Sequence, residues 1–210
     1  MTTTTTTTTT TTPSRTARSW WASIRKDPAK LNAWLMDQYR GESLAAVRIA
    51  MLRDHFDVAP AAARVLTIIA AQEEEHARWV AGLLEARGLP VVVQDKRARY
   101  WDAQALESIA DFETGCAVGS HAERMRLERI EVIATDDSAD DLILSSSAVA
   151  PAPRGPPRTA ELDDIRSVFG RILPQERFHE RAFRELAGSK AMEATRAAHD
   201  VGRAALGLAP

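Results

Sequence analysis

The chain has a single cysteine, Cys116. It can close no intrachain disulfide and build no thiolate cage, which excludes a disulfide-framed secreted scaffold and the zinc-ribbon and rubredoxin-type modules. No run of about 18 apolar residues is present to span a bilayer, and the start lacks the charged segment and apolar stretch of a signal peptide. The expected compartment is therefore the cytoplasm. Neither sign of charge dominates: 27 Lys and Arg stand against 29 Asp and Glu, a net charge of -2. A chain so balanced has no global field to attract nucleic acid or an anionic membrane, and neither is expected as a partner. Tyrosine and glycine are scarce, at 2 and 10 residues, which argues against an all-β chain. The composition is 45% hydrophobic and leans toward the helix formers Ala, Leu, Arg and Glu. A length of 210 residues suits one domain with a sizeable core better than two.

Thr2 to Thr12 form an unbroken threonine run closed by Pro13, with no apolar face to offset the entropy of ordering it. Residues 1–18 are accordingly expected to be a disordered tail, and 19–210 a single helical domain. Trp20 and Trp21 open the ordered part, with apolar surface suited to docking on a bundle.

Four amphipathic helices are predicted from residues that share a face at about 100° per residue. The first spans about 28–56, with Leu31, Leu35, Ala46, Ile49 and Phe56 aligned. The second follows the stop signal Asp57-Val58-Ala59-Pro60 and runs to about 87, with Leu66, Ile69, Ala70, Ala77, Val80 and Leu84 aligned. The third spans about 103–134, with Phe112, Cys116, Leu127, Ile130 and Ala134 on one face and Gly119 leaving that face bare. The fourth spans about 161–186, with Leu162, Ile165, Phe169, Ile172, Leu173 and Phe183 aligned, and Pro174 is expected to kink or break it. The segment 88–102 could extend roughly 50 Å, against about 42 Å for a 28-residue helix, so a crossover along the bundle is feasible. Residues 135–160, rich in Asp, Ser, Ala and Pro, read as a loop. A weakly amphipathic helix over 190–206 would cap the bundle or mediate association.

Acidic residues interrupt all four apolar stripes. They are Glu42, then Glu73 with His76 three positions on, then Glu123, then Glu176 with His179 three positions on. Burying a carboxylate costs several kcal/mol unless it is paired, hydrogen-bonded or metal-bound, so four of them on apolar faces demand an explanation. An i, i+3 pair puts both side chains on one helix face, and that spacing occurs twice. Glu42 and Glu73 lie about 15 residues either side of the turn near 57–59, so a helical hairpin sets them level. Glu123 and Glu176 are roughly level by the same argument. Glu128 points to the opposite side of the third helix and Glu131 to a flank. Four carboxylates neutralise two divalent cations, and with two imidazoles they form a nitrogen and oxygen set suited to iron or manganese rather than thiolate-loving metals.

The segments Tyr39-Arg40-Gly41-Glu42-Ser43-Leu44-Ala45-Ala46, Ala71-Gln72-Glu73-Glu74-Glu75-His76-Ala77 and Glu176-Arg177-Phe178-His179 resemble the ferritin-like di-iron carboxylate superfamily. The likeness is to rubrerythrins and, more distantly, to demethoxyubiquinone hydroxylases, and covers about residues 31–187. It implies an all-α, ferritin-like four-helix bundle with a long crossover between helices 2 and 3 and short extra terminal helices. It also implies two Fe ions, or Mn or a mixed Fe/Mn pair, held by Glu42, Glu73, His76, Glu123, Glu176 and His179. The activity it implies is a di-iron oxidoreductase that activates dioxygen or peroxide to oxidise or hydroxylate a small molecule, supplied by an external electron donor. The alternative is an iron-binding or peroxide-scavenging protein without organic substrate, assembled as a homodimer or cage. The four-cysteine rubredoxin module of full-length rubrerythrins is absent, as is a long exposed apolar helix for a lipid substrate.

Other chemistry-bearing residues have plainer readings. Tyr39 reads as a core tyrosine one turn before Glu42, and Cys116 as a small buried hydrophobe. Glu74 and Glu75 read as solvated, and Glu180 as a ligand support or a rim ion pair. His121 projects away from the Glu123 face, and Arg124, Arg126 and Arg129 read as a solvated or ion-paired basic segment.

Overall fold

The computed structural model describes residues 16–93, 109–136 and 158–205. Five helices occur among them, and no strand: α1 (Ala17–Ile24), α2 (Pro28–His55), α3 (Pro60–Glu85), α4 (Phe112–Ala134) and α5 (Arg158–Ala205). Local chemistry sets most of their ends. Thr16 caps α1 by accepting from the Ser19 amide, and Asp27 caps α2 by accepting from the amides of Ala29 and Lys30. Pro28 and Pro60 occupy the first turns of α2 and α3, where a missing N–H costs no helical bond. After α3, Gly88 adopts a φ of 65°, and the Leu89 amide bonds back to the Leu84 carbonyl at 3.0 Å.

Two apolar clusters hold the helices side by side. One contains Leu35 of α2, Val80 and Leu84 of α3, Ile130 and Ile133 of α4, and Ile165, Phe169 and Ile172 of α5. The other contains Ile49 and Leu52 of α2, Leu66 and Ile69 of α3, Cys116 and Ala117 of α4, and Phe183 of α5. The order of these residues along each helix gives its direction. α3 and α4 run the same way, α2 and α5 the opposite way. The end of α3 and the start of α4 therefore lie at opposite ends of the assembly, which is the condition for the expected crossover; residues 94–108 themselves lie outside the described residues. Residues 1–15 of the threonine tail and 137–157 of the expected loop also lie outside them. Among the described residues, no helix is long and apolar enough to cross a membrane.

α1 docks as expected of its tryptophans. Trp20 and Trp21 are buried against Trp34, whose ring lies 5.1 Å from that of Phe169, and Trp21 Nε1–H donates to Asp136 at 2.6 Å. The helix opens at Ala17, so the expected boundary after residue 18 falls inside it.

Two expected boundaries are corrected. α4 does not extend back through 109–111, because Asp111 is extended (φ −150°, ψ 166°) and its carboxylate caps the helix by accepting from the Thr114 amide at 2.6 Å. α5 does not break at Pro174, which lies inside the helix. The residue that leaves helical geometry is Gly188, at φ 68° and ψ 168°, a conformation costly for any residue with a side chain. Pro174 and Gly170, the residue whose carbonyl it leaves without a donor, both sit on the exposed face, where that carbonyl is not forced into an apolar contact. Packing of Phe169, Ile172 and Phe183 on the inner face keeps the axis continuous. At Gly188 the chain reverses, and the last arm of α5 runs back along α4: His121 meets Thr195 and stacks on His199 at 4.3 Å, and Arg203 pairs with Glu128.

Phe169 is fully buried, and its truncation to Ala should lower the unfolding free energy by about 3–5 kcal/mol. Its exposed neighbour offers the opposite test, since Gly170→Ala meets no atom within 4 Å and should raise stability by up to about 1 kcal/mol. Urea unfolding midpoints check both; a neutral Phe169→Ala would mean that the cluster is not packed as described.

Candidate metal centre

Between the two apolar clusters lies a polar layer. Along α2, Leu35, Glu42 and Ile49 follow at steps of two turns, and along α4, Cys116, Glu123 and Ile130 do the same, so each glutamate faces the interior with a hydrophobe above and below it. Glu73 and His76 of α3 lie between Ile69 and Val80, and Glu176 and His179 of α5 between Ile172 and Phe183. Gly119 admits the Phe183 ring so closely that a Cβ would lie 3.0 Å from it, which brings α4 against α5 beside the layer. The structure brings all six of these side chains together: Glu42, Glu73, His76, Glu176 and His179 are fully buried, and Glu123 is 4% exposed.

The donors form two overlapping sets. Glu42, Glu73, His76 and Glu176 each offer an atom within 4.8 Å of the others, and so do Glu73, Glu123, Glu176 and His179. Glu73 and Glu176 belong to both. His76 Nδ1 is 3.2 Å from Glu176 and 3.7 Å from Glu42, while His179 Nδ1 is 3.0 Å from Glu73 and 3.7 Å from Glu176. Despite this proximity, both Nδ1 atoms and buried oxygens of Glu42, Glu73, Glu123 and Glu176 have no hydrogen bond. Buried polar atoms without partners are expensive, and atoms of these types converging on shared points could hold a metal ion.

Three further residues complete the layer, none of them expected from the apolar stripes. Gln175 Oε1 accepts from Nε2–H of His76 at 2.9 Å, and Gln72 Oε1 accepts from Nε2–H of His179 at 2.8 Å. Each glutamine stands just before the glutamate of its own motif and braces the histidine of the other, so α3 and α5 are cross-tied. With its Nε2 proton engaged, each imidazole turns Nδ1 into the layer. The signal was present as Gln-Glu-x-x-His written twice.

The third is Arg126, expected to be solvated or ion-paired on a basic segment. Its guanidinium enters the layer and pairs with four carboxylates: NH2 with Glu42 and, at 2.9 Å, with Glu176, and NH1 with Glu73 at 3.4 Å and Glu123 at 3.6 Å. Arg126 follows Glu123 by three positions, the same spacing as the two Glu-His pairs. The other residues of the segment resolve plainly. Glu128 is held by the two terminal guanidinium nitrogens of Arg203 at 2.9 and 3.1 Å, and Glu131 pairs with Arg177 at the surface, so Glu123 is the α4 carboxylate of the layer. Glu180 makes a rim ion pair with Arg184. Tyr39 packs partly buried against the first cluster, and burial pushes the Cys116 thiol up to about 12, which keeps it protonated and inert.

The electrostatics follow from crowding. Two unit charges about 4 Å apart repel by about 4 kcal/mol at an effective dielectric near 20, so four carboxylates cannot all ionise without cations between them. Burial, only partly opposed by Arg126, raises Glu42 to about 7, and burial with the charge of Glu176 pushes Glu123 well above the usual range. For Glu73 and Glu176, burial is outweighed by Arg126 and the histidines, which hold both down. Burial alone would lower the imidazoles, but the carboxylates at Nδ1 overcome it and bring His76 up to about 10 and raise His179. The layer is thus a set of anions awaiting positive charge, here supplied by protons and one guanidinium, and it can hold metal ions.

If the glutamines orient the imidazoles, Gln72→Leu and Gln175→Leu should each weaken divalent-ion affinity about 10- to 100-fold without unfolding the protein. Titration against a competing chelator measures this, and wild-type affinity in both variants would remove the carboxamides from the site.

No family model, curated protein or solved structure matches this chain, so the reading of the layer rests on its own residues.

Proposed function

We propose that the chain is a ferritin-like four-helix bundle carrying a dimetal centre, and that it is an oxidoreductase using dioxygen or peroxide to oxidise or hydroxylate a small molecule. The observation that supports this best is the pair of donor sets sharing Glu73 and Glu176, each with three carboxylates and one imidazole and with at least one buried oxygen or nitrogen of every member lacking a hydrogen bond. Glu42, Glu73, His76, Glu123, Glu176 and His179 would hold two ions, and oxygen and nitrogen donors without thiolate would suit iron or manganese. Such ions, when bound, supply the electrons for reducing dioxygen or peroxide.

The chain's own residues do the rest. Glu42, Glu73, Glu123 and Glu176 carry four negative charges to match two divalent ions, and His76 and His179 add one neutral nitrogen each through Nδ1. Gln72 and Gln175 hold the imidazoles in that tautomer. Leu35, Val80, Ile130 and Phe169 on one side, and Ile69, Cys116 and Phe183 on the other, keep water from the layer. Trp79 stacks beside His76 at 5.6 Å, with the guanidinium of Arg171 4.0 Å over its ring, and closes the flank between α3 and α5.

Metal analysis of the purified protein should give about two iron or manganese ions per chain, and stopped-flow mixing of the ferrous form with oxygen should give an absorbance change. Glu73→Ala or His179→Ala should abolish stoichiometric loading, and full loading of both variants would place the metal elsewhere. Oxygen consumption stimulated by one organic compound marks the oxidase. Peroxide turnover with no such compound marks an iron-binding scavenger instead.

The pH dependence has a defined sign. In the ion-free layer protons occupy the imidazoles, with His76 held up to about 10, and part of Glu42 near 7. Ions compete with those protons, so apparent affinity should rise with pH from about 6 to 9 and ion uptake should release protons into a weakly buffered solution. An affinity independent of pH over that interval would contradict the assignment of the histidines.

A further inference from the structure

The guanidinium of Arg126 stands among all four carboxylates that the dimetal reading assigns to ions, and in contact distance of Glu73 and Glu176, the two that both donor sets share. It does not come from the core. The Arg126 side chain is 22% exposed whereas the carboxylates it meets are 0–5% exposed, so part of it meets solvent at the edge of α4 while its guanidinium lies among them. We propose that Arg126 is a displaceable counter-cation, holding the carboxylates together in the ion-free protein and leaving the layer toward solvent when divalent ions load. This rests on the dimetal reading of the layer.

Charge balance requires the exchange. Two divalent ions already match four carboxylates, so a guanidinium retained among them would add an unmatched positive charge in a water-poor space beside two cations. Contacts require it too: the oxygens that Arg126 pairs with on Glu42, Glu73, Glu123 and Glu176 belong to the residues that would face the ions. Before loading, the same guanidinium holds the four carboxyl groups together at one level. A planar fork with five donors spans separate carboxylates in a fixed geometry that the compact ammonium of lysine does not reproduce. The site is thereby assembled in advance, and the cost of that assembly is an affinity reduced by the competition with Arg126.

Three measurements on the full chain, with Mn(II) as the probe, test this. Phenylglyoxal labelling of Arg126, read by peptide mass spectrometry, should be low in chelator-treated protein and rise at least fivefold on saturation with Mn(II), while labelling of surface Arg177 stays constant as an internal standard. Free Mn(II) followed by its paramagnetic resonance signal should show Arg126→Gln binding at least tenfold more tightly than wild type, with Arg126→Lys between them. Chelator-treated Arg126→Gln should melt at a lower temperature than chelator-treated wild type, and Mn(II) should remove that difference. If Mn(II) binds to wild type and Arg126 stays unlabelled, the guanidinium remains in place and displacement is wrong, while the dimetal reading stands. If Mn(II) binds to Arg126→Gln and not to wild type, Arg126 is a permanent occupant and displacement is again wrong. If neither binds, both readings fail. Should Arg126→Gln not fold, the labelling of wild type and the affinity of Arg126→Lys decide by the same criteria.

Discussion

Removal of water from four glutamates at one level is the constraint on which the rest of the structure depends. Glu42, Glu73, Glu123 and Glu176 come from four different helices and are 0–4% exposed. Carboxylates so placed repel one another and forfeit hydration, and only positive charge among them makes the arrangement stable. Every feature of the layer follows from that need: two histidines with nitrogens turned inward, an arginine reaching in from the edge, and ligand-type atoms left without hydrogen bonds.

The apolar clusters on either side create the constraint. A glutamate that follows a buried hydrophobe by two turns and precedes another by two turns has no solvent to turn to, as Glu42 shows between Leu35 and Ile49. The same packing makes the layer rigid. Gln72 and Gln175 then tie α3 to α5 through each other's histidines, so the two Glu-x-x-His motifs act as one braced unit rather than as two adjacent helices. Outside this frame the α1 tryptophans close one end of the assembly, and the last arm of α5 covers α4 through His121, His199 and the Arg203–Glu128 pair.

Much of the fold was legible in the chain. Apolar periodicity located α2 and α3 to within about two residues because both are bounded by proline or glycine signals that act locally: Pro28, Pro60 and Gly88. It failed where a local signal was outweighed by packing. Pro174 bears a helix-breaking backbone, yet it sits on the exposed face, where the lost donor leaves no carbonyl stranded in the core, and the helix continues to Gly188. At the start of α4 the apolar pattern ran on past the true end, since periodicity does not register the Asp111 cap.

The six donors were legible by themselves, because helical spacing and hairpin register are properties of one dimension: residue number determines both the face and the height of a side chain. Gln72 and Gln175 left only a repeated Gln before each motif, and the role of Arg126 left no trace. A long side chain on a flank can point to water or bend inward, and which of these it does is set by charges on other helices that residue number does not convey. Helix spacing determined where the carboxylates stand; the tertiary structure alone decided what balances them, since the field that draws the Arg126 guanidinium inward exists only once all four glutamates have met.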